Sequence, residues 1–446
     1  MKTKSGINRR FFIKTSAVVA ASSTLPAWFI EESRLDAAEP TPTSPNEKPN
    51  VALIGCGGQG RGDTTNAARF ANVVAVCDVD SRRAESASQQ FNGAKVYKDF
   101  RKLLEDKNIH ATITATPDHW HTLVNIAALR AGKDVYSEKP LTLTIDEGKR
   151  LVKEWKKSGR VFQTGSQQRS DAKFRLACEL VRNGRLGKLK QIITSLPGGP
   201  REGPFSPQPI PPELDWNLWQ GQAPEREYFP ERCHQKFRYW YEYSGGTMTD
   251  WGAHHNDIAL WGIGLERSGP TTIEGRQLID PIPGGYTTPS QYRIRYTYAN
   301  GVEHICQSVR NENGGGGQTG APLAEGEMPN GVKFIGENGW IFVTRGKIQA
   351  SDPELLQKPL GPDATKLYVS NNHMGNFVEC LRTRKQAICD AEIGHRSVTV
   401  CHLGVLSIRL GRKLQWDPAG EMFVNDKEAD GWLAREMRKP WDYSFV

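Results

Sequence analysis

A chain of 446 residues has room for two or three domains, and 37% hydrophobic with 24% charged residues is the make-up of a globular protein with large cores. The formal net charge of +8 is concentrated at the front: residues 1–38 hold six Lys/Arg against three Asp/Glu, leaving about +5 on the rest. That remainder carries no Lys/Arg block or stripe, which excludes a nucleic-acid-binding surface.

The chain opens with Asn8-Arg9-Arg10-Phe11-Phe12-Ile13-Lys14, the pattern of a twin-arginine export signal. A basic start, an apolar stretch from Thr15 to Ile30 and a polar, Pro-rich segment from Glu39 to Pro49 supply its three parts. The apolar stretch falls short of the ~20 residues that span a bilayer and contains Pro26, so no stable membrane span is expected after signal removal. These features predict a signal peptide over 1–38, cleavage near Ala37-Ala38, a linker over 39–49, passage through the twin-arginine (Tat) export machinery and a periplasmic location. The alternative is an amphipathic N-terminus on a cytoplasmic protein. Eight cysteines occur, none in C-x-x-C spacing. A protein that folds in a reducing compartment before export should keep them as free thiols.

From Asn50 onward, short β-branched runs alternate with helical stretches. Val51–Ile54, Val73–Cys77, Lys95–Tyr97, Ala111–Ala115 and Asp134–Ser137 read as strands, with helices over Ser81–Phe91, His121–Ala131 and Ile145–Ser158. Strands separated by helices predict βαβ units and a parallel sheet with right-handed crossovers, a domain over 50–164. Beyond it, over 165–446, the pattern changes. A helix over 171–183 and a strand over 189–195 precede an irregular segment, 198–245, rich in Pro and aromatic residues. Period-two alternation over 291–298 predicts an antiparallel strand with one wet face, and further strands fit 302–309, 332–335 and 340–344. Gly314–Gly317 reads as a flexible loop tip, and helices over 374–384 and 395–412 close the chain.

Gly55-Cys56-Gly57-Gly58-Gln59-Gly60 follows an apolar strand, opens a helix, and has Asp78 at the end of the next strand. That context makes it a dinucleotide-binding loop. Gly55 permits the tight turn, Gly57 the close approach of a pyrophosphate, and Gly60 the packing of helix on strand; the helix N-terminus offers free N–H groups. Asp78 would accept hydrogen bonds from the adenosine ribose and repel a 2′-phosphate, favouring NAD over NADP, a preference that Arg82 and Arg83 weaken.

Glu138-Lys139-Pro140 follows the fifth strand, at the carboxyl edge where open parallel sheets bind ligands, and Lys139 there can stabilise a developing alkoxide. Gly245 to Asp257 begins a helix on which Asp250, His254 and Asp257 fall at i, i+4 and i+7, on one face. His254 is placed to act as a general base with a carboxylate orienting it, whereas His255 points about 100° away. A zinc site of two carboxylates and two histidines would need His255 on that face, so no metal is expected.

Together, Gly55-x-Gly57-x-x-Gly60, Ala115-Thr116-Pro117 with His121, Glu138-Lys139-Pro140 and Asp250-x-x-x-His254-x-x-Asp257 resemble the Gfo/Idh/MocA oxidoreductases, from about Asn50 to the end. The resemblance implies an α/β Rossmann N-terminal domain and an α+β C-terminal domain with a large, mostly antiparallel open sheet, used for substrate binding and homo-oligomer contacts. It implies that Lys139 and His254 bind and deprotonate a carbohydrate hydroxyl whose carbon passes hydride to the nicotinamide, with Asp250 holding the sugar or the histidine. It places Thr116, His121 and Glu138 at the cofactor and Asp257 toward the substrate. The aromatic residues of 198–245, Trp240 among them, suggest stacking on sugar rings; the alternative is a packed lid or a subunit contact. His119 reads as structural.

The expected function is therefore oxidation of a hydroxyl on a sugar, cyclitol or glycoside. Export, away from any free nicotinamide pool, implies that NAD is tightly held and recycled in place. A transient-oxidation glycosidase or epimerase, or a non-catalytic sugar- or nucleotide-binding protein on the same fold, are the alternatives.

Overall fold

The computed structural model describes residues 25–36, 48–309 and 328–444. The Asn8–Lys14 signal, the expected cut at Ala37-Ala38 and the Gly314–Gly317 tip lie outside the described residues. The first described element is helix α1 (Ala27–Asp36).

Strands β1 (Asn50–Ile54), β2 (Asn72–Cys77), β3 (Lys95–Tyr97), β4 (Ala111–Thr114), β5 (Asp134–Ser137) and β6 (Phe162–Thr164) form a six-stranded sheet in the order β3-β2-β1-β4-β5-β6. Every pairing in it is parallel. Residues 51–54, 111–114 and 134–137 are buried, because helices cover both faces; this is why these strands read as unbroken apolar runs. The crossovers are α2 (Gly58–Ala67), α3 (Ser81–Gln90), the short α4 (Phe100–Leu104), α5 (Asp118–Arg130) and α6 (Ile145–Ser158). Thr144 and Glu147 cap α6 reciprocally, and Gly159 ends it in the left-handed region at φ +64°.

After α7 (Ala172–Arg182) a nine-stranded sheet begins, made of β7 (Leu189–Pro197), β8 (Thr272–Gln277), β9 (Tyr292–Thr297), β10 (Glu303–Val309), β11 (Gly331–Gly336), β12 (Gly339–Thr344), β13 (Lys347–Ala350), β14 (Leu414–Asp417) and β15 (Met422–Phe423). Their order is β13-β12-β11-β7-β10-β9-β8-β14-β15, antiparallel throughout except for β7 with β10. Inserted between β7 and β8 are α8 (Trp216–Gln220), α9 (Thr247–Asp250) and α10 (Gly252–Ile263); α11 (His373–Thr383) and α12 (Ala391–Leu410) precede β14. Alternating burial along β9 marks a sheet with one wet face; the other buries Tyr292, Ile294 and Tyr296. Helices α10 and α12 lie on the buried face. Gly404 lets α12 approach closely, since a Cβ there would sit 2.4 Å from the Tyr296 hydroxyl, which donates to Val400 O at 2.9 Å.

The expected short strands of the second domain are present, joined by β8, β13, β14 and β15, which their sequences do not announce. β8 (Thr-Ile-Glu-Gly-Arg-Gln) is mostly exposed and polar, and β15 has two residues. All eight cysteines are unpaired and buried. Among the described residues no helix is long and apolar enough to cross a membrane.

Asp257 corrects an expectation. The i, i+4, i+7 reading puts Asp257 on a helical face, and the backbone does stay helical through Trp251 between α9 and α10, but the Asp257 carboxylate is claimed by a buried partner. Arg169, from the turn after β6, donates to both its oxygens at 2.7 and 2.8 Å, and the Ser397 hydroxyl donates to Oδ1 at 2.5 Å. The Arg169 and Asp257 side chains are 2% and 1% exposed, so Asp257 ties α10 to the turn after β6 and to α12 and is closed off from the groove. Replacing Asp257 by Ala strands a buried guanidinium. Chemical denaturation should show a loss of about 3–5 kcal/mol; unchanged stability with a raised substrate KM would return Asp257 to the substrate site.

Candidate active site

Three glycines shape a groove along the carboxyl edge of the parallel sheet. Gly55 has φ +95°, and a Cβ on it would lie 2.5 Å from the Ala115 carbonyl; one on Gly60 would lie 2.2 Å from Gly55 O. Gly57 is the N-cap of α2 and provides no side-chain cap, so the first-turn N–H groups stay open to an anion. Asp78 closes the end of β2. Its Oδ2 accepts from Cys56 N at 2.7 Å and its Oδ1 from Asp80 N at 2.9 Å, so it sets the shape of the glycine turn while lining the groove. Thr116 also lines the groove, and its Oγ1 is buried with no partner among the described residues. Gly55, Gly57, Gly60, Asp78 and Thr116 thus stand where a dinucleotide needs them, and the cradle fits NAD.

Two residues expected at the cofactor face elsewhere. The His121 ring nitrogens lie 2.8 Å from Pro140 O and 2.8 Å from Thr116 O, which leaves neither free for a ribose. His121 instead clamps the Thr116 turn to the Lys139-Pro140 loop. Glu138 turns inward, beneath the loop, against Tyr136 and Asp63. Burial raises both carboxyls; the Glu138 charge raises Asp63 further, while Lys139 and a hydrogen bond from Asp63 oppose the rise at Glu138. Gln59 and Gln167 donate to Asp63 Oδ1 at 3.0 and 2.9 Å, and the Tyr136 hydroxyl donates to Glu138 Oε1 at 3.3 Å.

Lys139 and Asp250 meet across the two domains, with Nζ donating to Oδ1 at 2.5 Å. Arg238 Nε lies 3.4 Å from the same oxygen. Against the cost of burial, Lys139 and Arg238 hold the Asp250 carboxyl far below the usual carboxylate range. One turn further on, His254 is buried with no partner at Nδ1 among the described residues. Burial, then the Lys139 and Arg345 charges, push its pKa well below the ordinary imidazole value, which keeps the ring neutral and able to accept a proton. His255 points away, as its spacing predicts, and sits 2.8 Å from Asn330 Oδ1.

Sequence reasoning missed Arg238, Asp118 and Arg345. Asp118 accepts from Ser244 Oγ at 2.5 Å and is pushed up to about 7 by burial, with Arg238 opposing. Arg345, on the turn after β12, stands 4.9 Å over the Trp251 ring. None belongs to a periodic pattern; the one local clue is that Asp118 directly follows Ala115-Thr116-Pro117.

The 198–245 segment is a lid over the groove and packs mostly on itself. Trp216 and Trp219 stack at 4.7 Å, and Trp219, Phe237 and Arg238 line the groove opposite the glycines. Trp240, expected to stack on a sugar, is 3% exposed; its Nε1 donates to Glu231 O at 2.8 Å and its ring is covered by Phe229, Tyr286 and the Arg232 guanidinium. It is a lid core residue, because the segment has no sheet to pack on and must bury its own aromatics. Leu214 bridges Asp80, with Ser81 N donating to Glu213 O and Asp215 N to Val79 O, both at 3.0 Å. The His119 ring nitrogen Nε2 and Trp120 Nε1 each lie 2.9 Å from Trp219 O, which gives His119 its structural role. Arg438 fastens the lid from the far end of the chain through Gly221 O at 2.9 Å and Asn217 Oδ1 at 2.7 Å.

Residues 49–166 match the domain described as "Oxidoreductase family, NAD-binding Rossmann fold", and residues 201–443 match "Oxidoreductase family, C-terminal alpha/beta domain". The chain is 32% identical over 219 residues to myo-inositol 2-dehydrogenase of Thermotoga maritima, covering 48% of this chain and 55% of that protein. It is 32% identical over 240 residues to scyllo-inositol 2-dehydrogenase (NAD(+)) of Bacillus subtilis, covering 54% and 60%. It thus spans less than two thirds of either relative. Its fold is shared with levoglucosan dehydrogenase solved with NADH and levoglucosan, at TM-score 0.61 and 18% identity over 83% of this chain and 99% of that one. Aldose-aldose oxidoreductase from Caulobacter crescentus shares it at TM-score 0.59 and 18% identity, over 83% and 100%. With the two domain types matched in order along one chain, and a glycine cradle shaped for the dinucleotide, the protein belongs to the Gfo/Idh/MocA family of oxidoreductases and carries its NAD-binding Rossmann domain.

Proposed function

We propose that this protein is an NAD-dependent oxidoreductase that oxidises a hydroxyl of a sugar, cyclitol or glycoside, with the cofactor tightly held beneath the lid. The observation that carries the reading is the junction of Lys139, Asp250 and His254 beside the glycine groove. Bound NAD supplies a hydride acceptor. Lys139, fixed by Asp250, donates a hydrogen bond to the substrate oxygen and stabilises its negative charge as the proton leaves. His254, held neutral by its burial and the nearby cations, takes that proton. Arg238 keeps Asp250 ionised, so Asp250 orients the lysine and does not compete for the proton.

Export through the twin-arginine route is part of the same proposal: a protein carried out folded takes its cofactor along, and a roofed groove suits that need. Turnover then closes its redox cycle on the one bound nicotinamide by passing the hydride on to a second carbonyl substrate, or by returning it to the oxidised substrate after a transient oxidation.

Protein purified in its native form and then denatured should release about one NAD per chain, measured by mass spectrometry. Trp219→Ala should cut the fraction retained through gel filtration severalfold; a native protein free of dinucleotide, or retention indifferent to the lid, would overturn the tightly held cofactor.

Lys139→Met should lower kcat by roughly 10²–10³-fold, in the range of a lost oxyanion donor, with NAD content unchanged. His254→Ala should cost about 10²–10⁴-fold. Unchanged turnover in Lys139→Met would remove the chemistry proposed here.

The pH profile follows from the sign of the His254 shift. A depressed pKa keeps the base deprotonated on the acid side, so the acid limb of kcat/KM should fall below the ordinary imidazole value of about 6.5. A limb above 7 that disappears in His254→Ala would contradict the neutral, charge-crowded ring.

A further inference from the structure

We propose that residues 25–36 are a permanent element of the folded enzyme, a clasp seated in the C-terminal domain, and that signal removal cuts ahead of Leu25 and not at Ala37-Ala38. The processing half rests on the export reading above; the clasp itself does not.

Helix α1 lies within the stretch that sequence reading assigns to the signal peptide, yet it is built into the largest core of the molecule. Phe29 is fully buried in the same cluster as Phe174, Leu180 and Leu356, and Leu25 and Trp28 pack against that cluster. Ile30, one residue on, is 38% exposed, so the helix docks on one face.

The polar contacts match as closely as the apolar ones. Trp28 Nε1 donates to Leu356 O at 3.1 Å. Arg175 of α7, with its side chain 4% exposed, pairs inward with Glu179 at 2.9 Å and lies under the Phe29 ring, 4.3 Å from its centre. Its other guanidinium nitrogen donates to the Ser33 hydroxyl, which in turn donates to Phe29 O at 2.6 Å. Glu32 pairs with Lys366 at 2.5 Å. Residues from two distant parts of the domain, α7 and the 355–366 region, thus complement Trp28, Phe29, Glu32 and Ser33, two pairs of positions one helical turn apart.

A leader cut at Ala37-Ala38 would take this helix away. The body would be left with an apolar cleft into its main core and with Arg175 stripped of both its ring cover and its Ser33 acceptor. A segment made only to be discarded gains nothing from such complementarity. Small residues suited to a signal-peptidase site also occur earlier, in Ala20-Ala21-Ser22-Ser23, directly ahead of the docked part.

The test uses the full chain with a site for a specific protease placed between Ala38 and Lys48, cut after folding. The N-terminal fragment should stay with the body through gel filtration and leave only in denaturant, and Phe29→Asp should release it under native conditions. Trp28→Phe, which removes one hydrogen bond and little volume, should lower Tm by about 1–3 °C. A fragment that separates from the folded, wild-type body at once would overturn the clasp. Intact mass of the protein recovered from the periplasm should show a first residue at or ahead of Leu25; a folded mature chain beginning at 38 or 39 would overturn the proposed cut. If the chain never leaves the cytoplasm, the export reading fails while the fragment experiment still decides the clasp.

Discussion

The Lys139–Asp250 pair is the constraint on which the rest of the site depends. Lys139 stands on the loop after β5 and Asp250 at the end of α9, so their 2.5 Å contact fixes how the two domains meet at the groove. With side chains only 13% and 18% exposed, neither charge has bulk water to fall back on, and each needs the other. Arg238 adds a second cation to the same carboxylate oxygen. His254 is kept neutral first by its burial and then by the Lys139 charge, which Asp250 partly offsets. One ion pair therefore sets domain geometry and the direction of the lysine, and contributes to the neutrality of the nearby histidine.

Around that pair, the groove is enclosed by segments that lie far apart in the chain. The lid at 213–222 is bridged to residues 79–81 on one side, held at Trp219 by His119 and Trp120, and fastened from outside by Arg438. Each contact closes a loop of 99 residues or more, at an entropy cost that grows only slowly with loop length. Opening the groove means breaking several such contacts together, since the lid's aromatics are packed on one another. That physical arrangement supports a cofactor that stays through many turnovers better than one that exchanges each cycle.

Legibility in the sequence followed the range of the interactions. The parallel sheet could be read from Val51–Ile54 and its fellows because buried strands and crossover helices leave local, repeating marks, and Gly55, Gly57, Gly60 and Asp78 fell into place with them. Lys139 and His254 could be read because a sheet edge and a helix face fix where they stand. What these marks do not encode is the partner waiting on the other side. Asp257 was on a sound helical face, but Arg169, 88 residues earlier, had already claimed it. His121 sits in the first turn of α5 and Glu138 just after β5, with side chains turned to backbone carbonyls and to Asp63. Composition marked the lid as aromatic and could not tell a platform for sugars from a core of its own.

The fate of those aromatics changes how the substrate must be recognised. Trp216, Phe229, Trp240 and Tyr243 are buried within the lid, and Trp219 and Phe237 face the glycine groove, so the apolar faces of a sugar ring find little to stack on there. The groups left around the reacting position are Lys139, Asp250 and His254, with Arg238 and Arg345 nearby. These are donors and acceptors with fixed directions. A site of this kind selects by pairing individual hydroxyls, and a substrate lacking one of them leaves a buried polar group unpaired, a penalty much larger than that for a missing apolar contact. Under the proposed function, selectivity therefore resides in the stereochemistry of the few carbons next to the oxidised one, while the remainder of the molecule is read weakly.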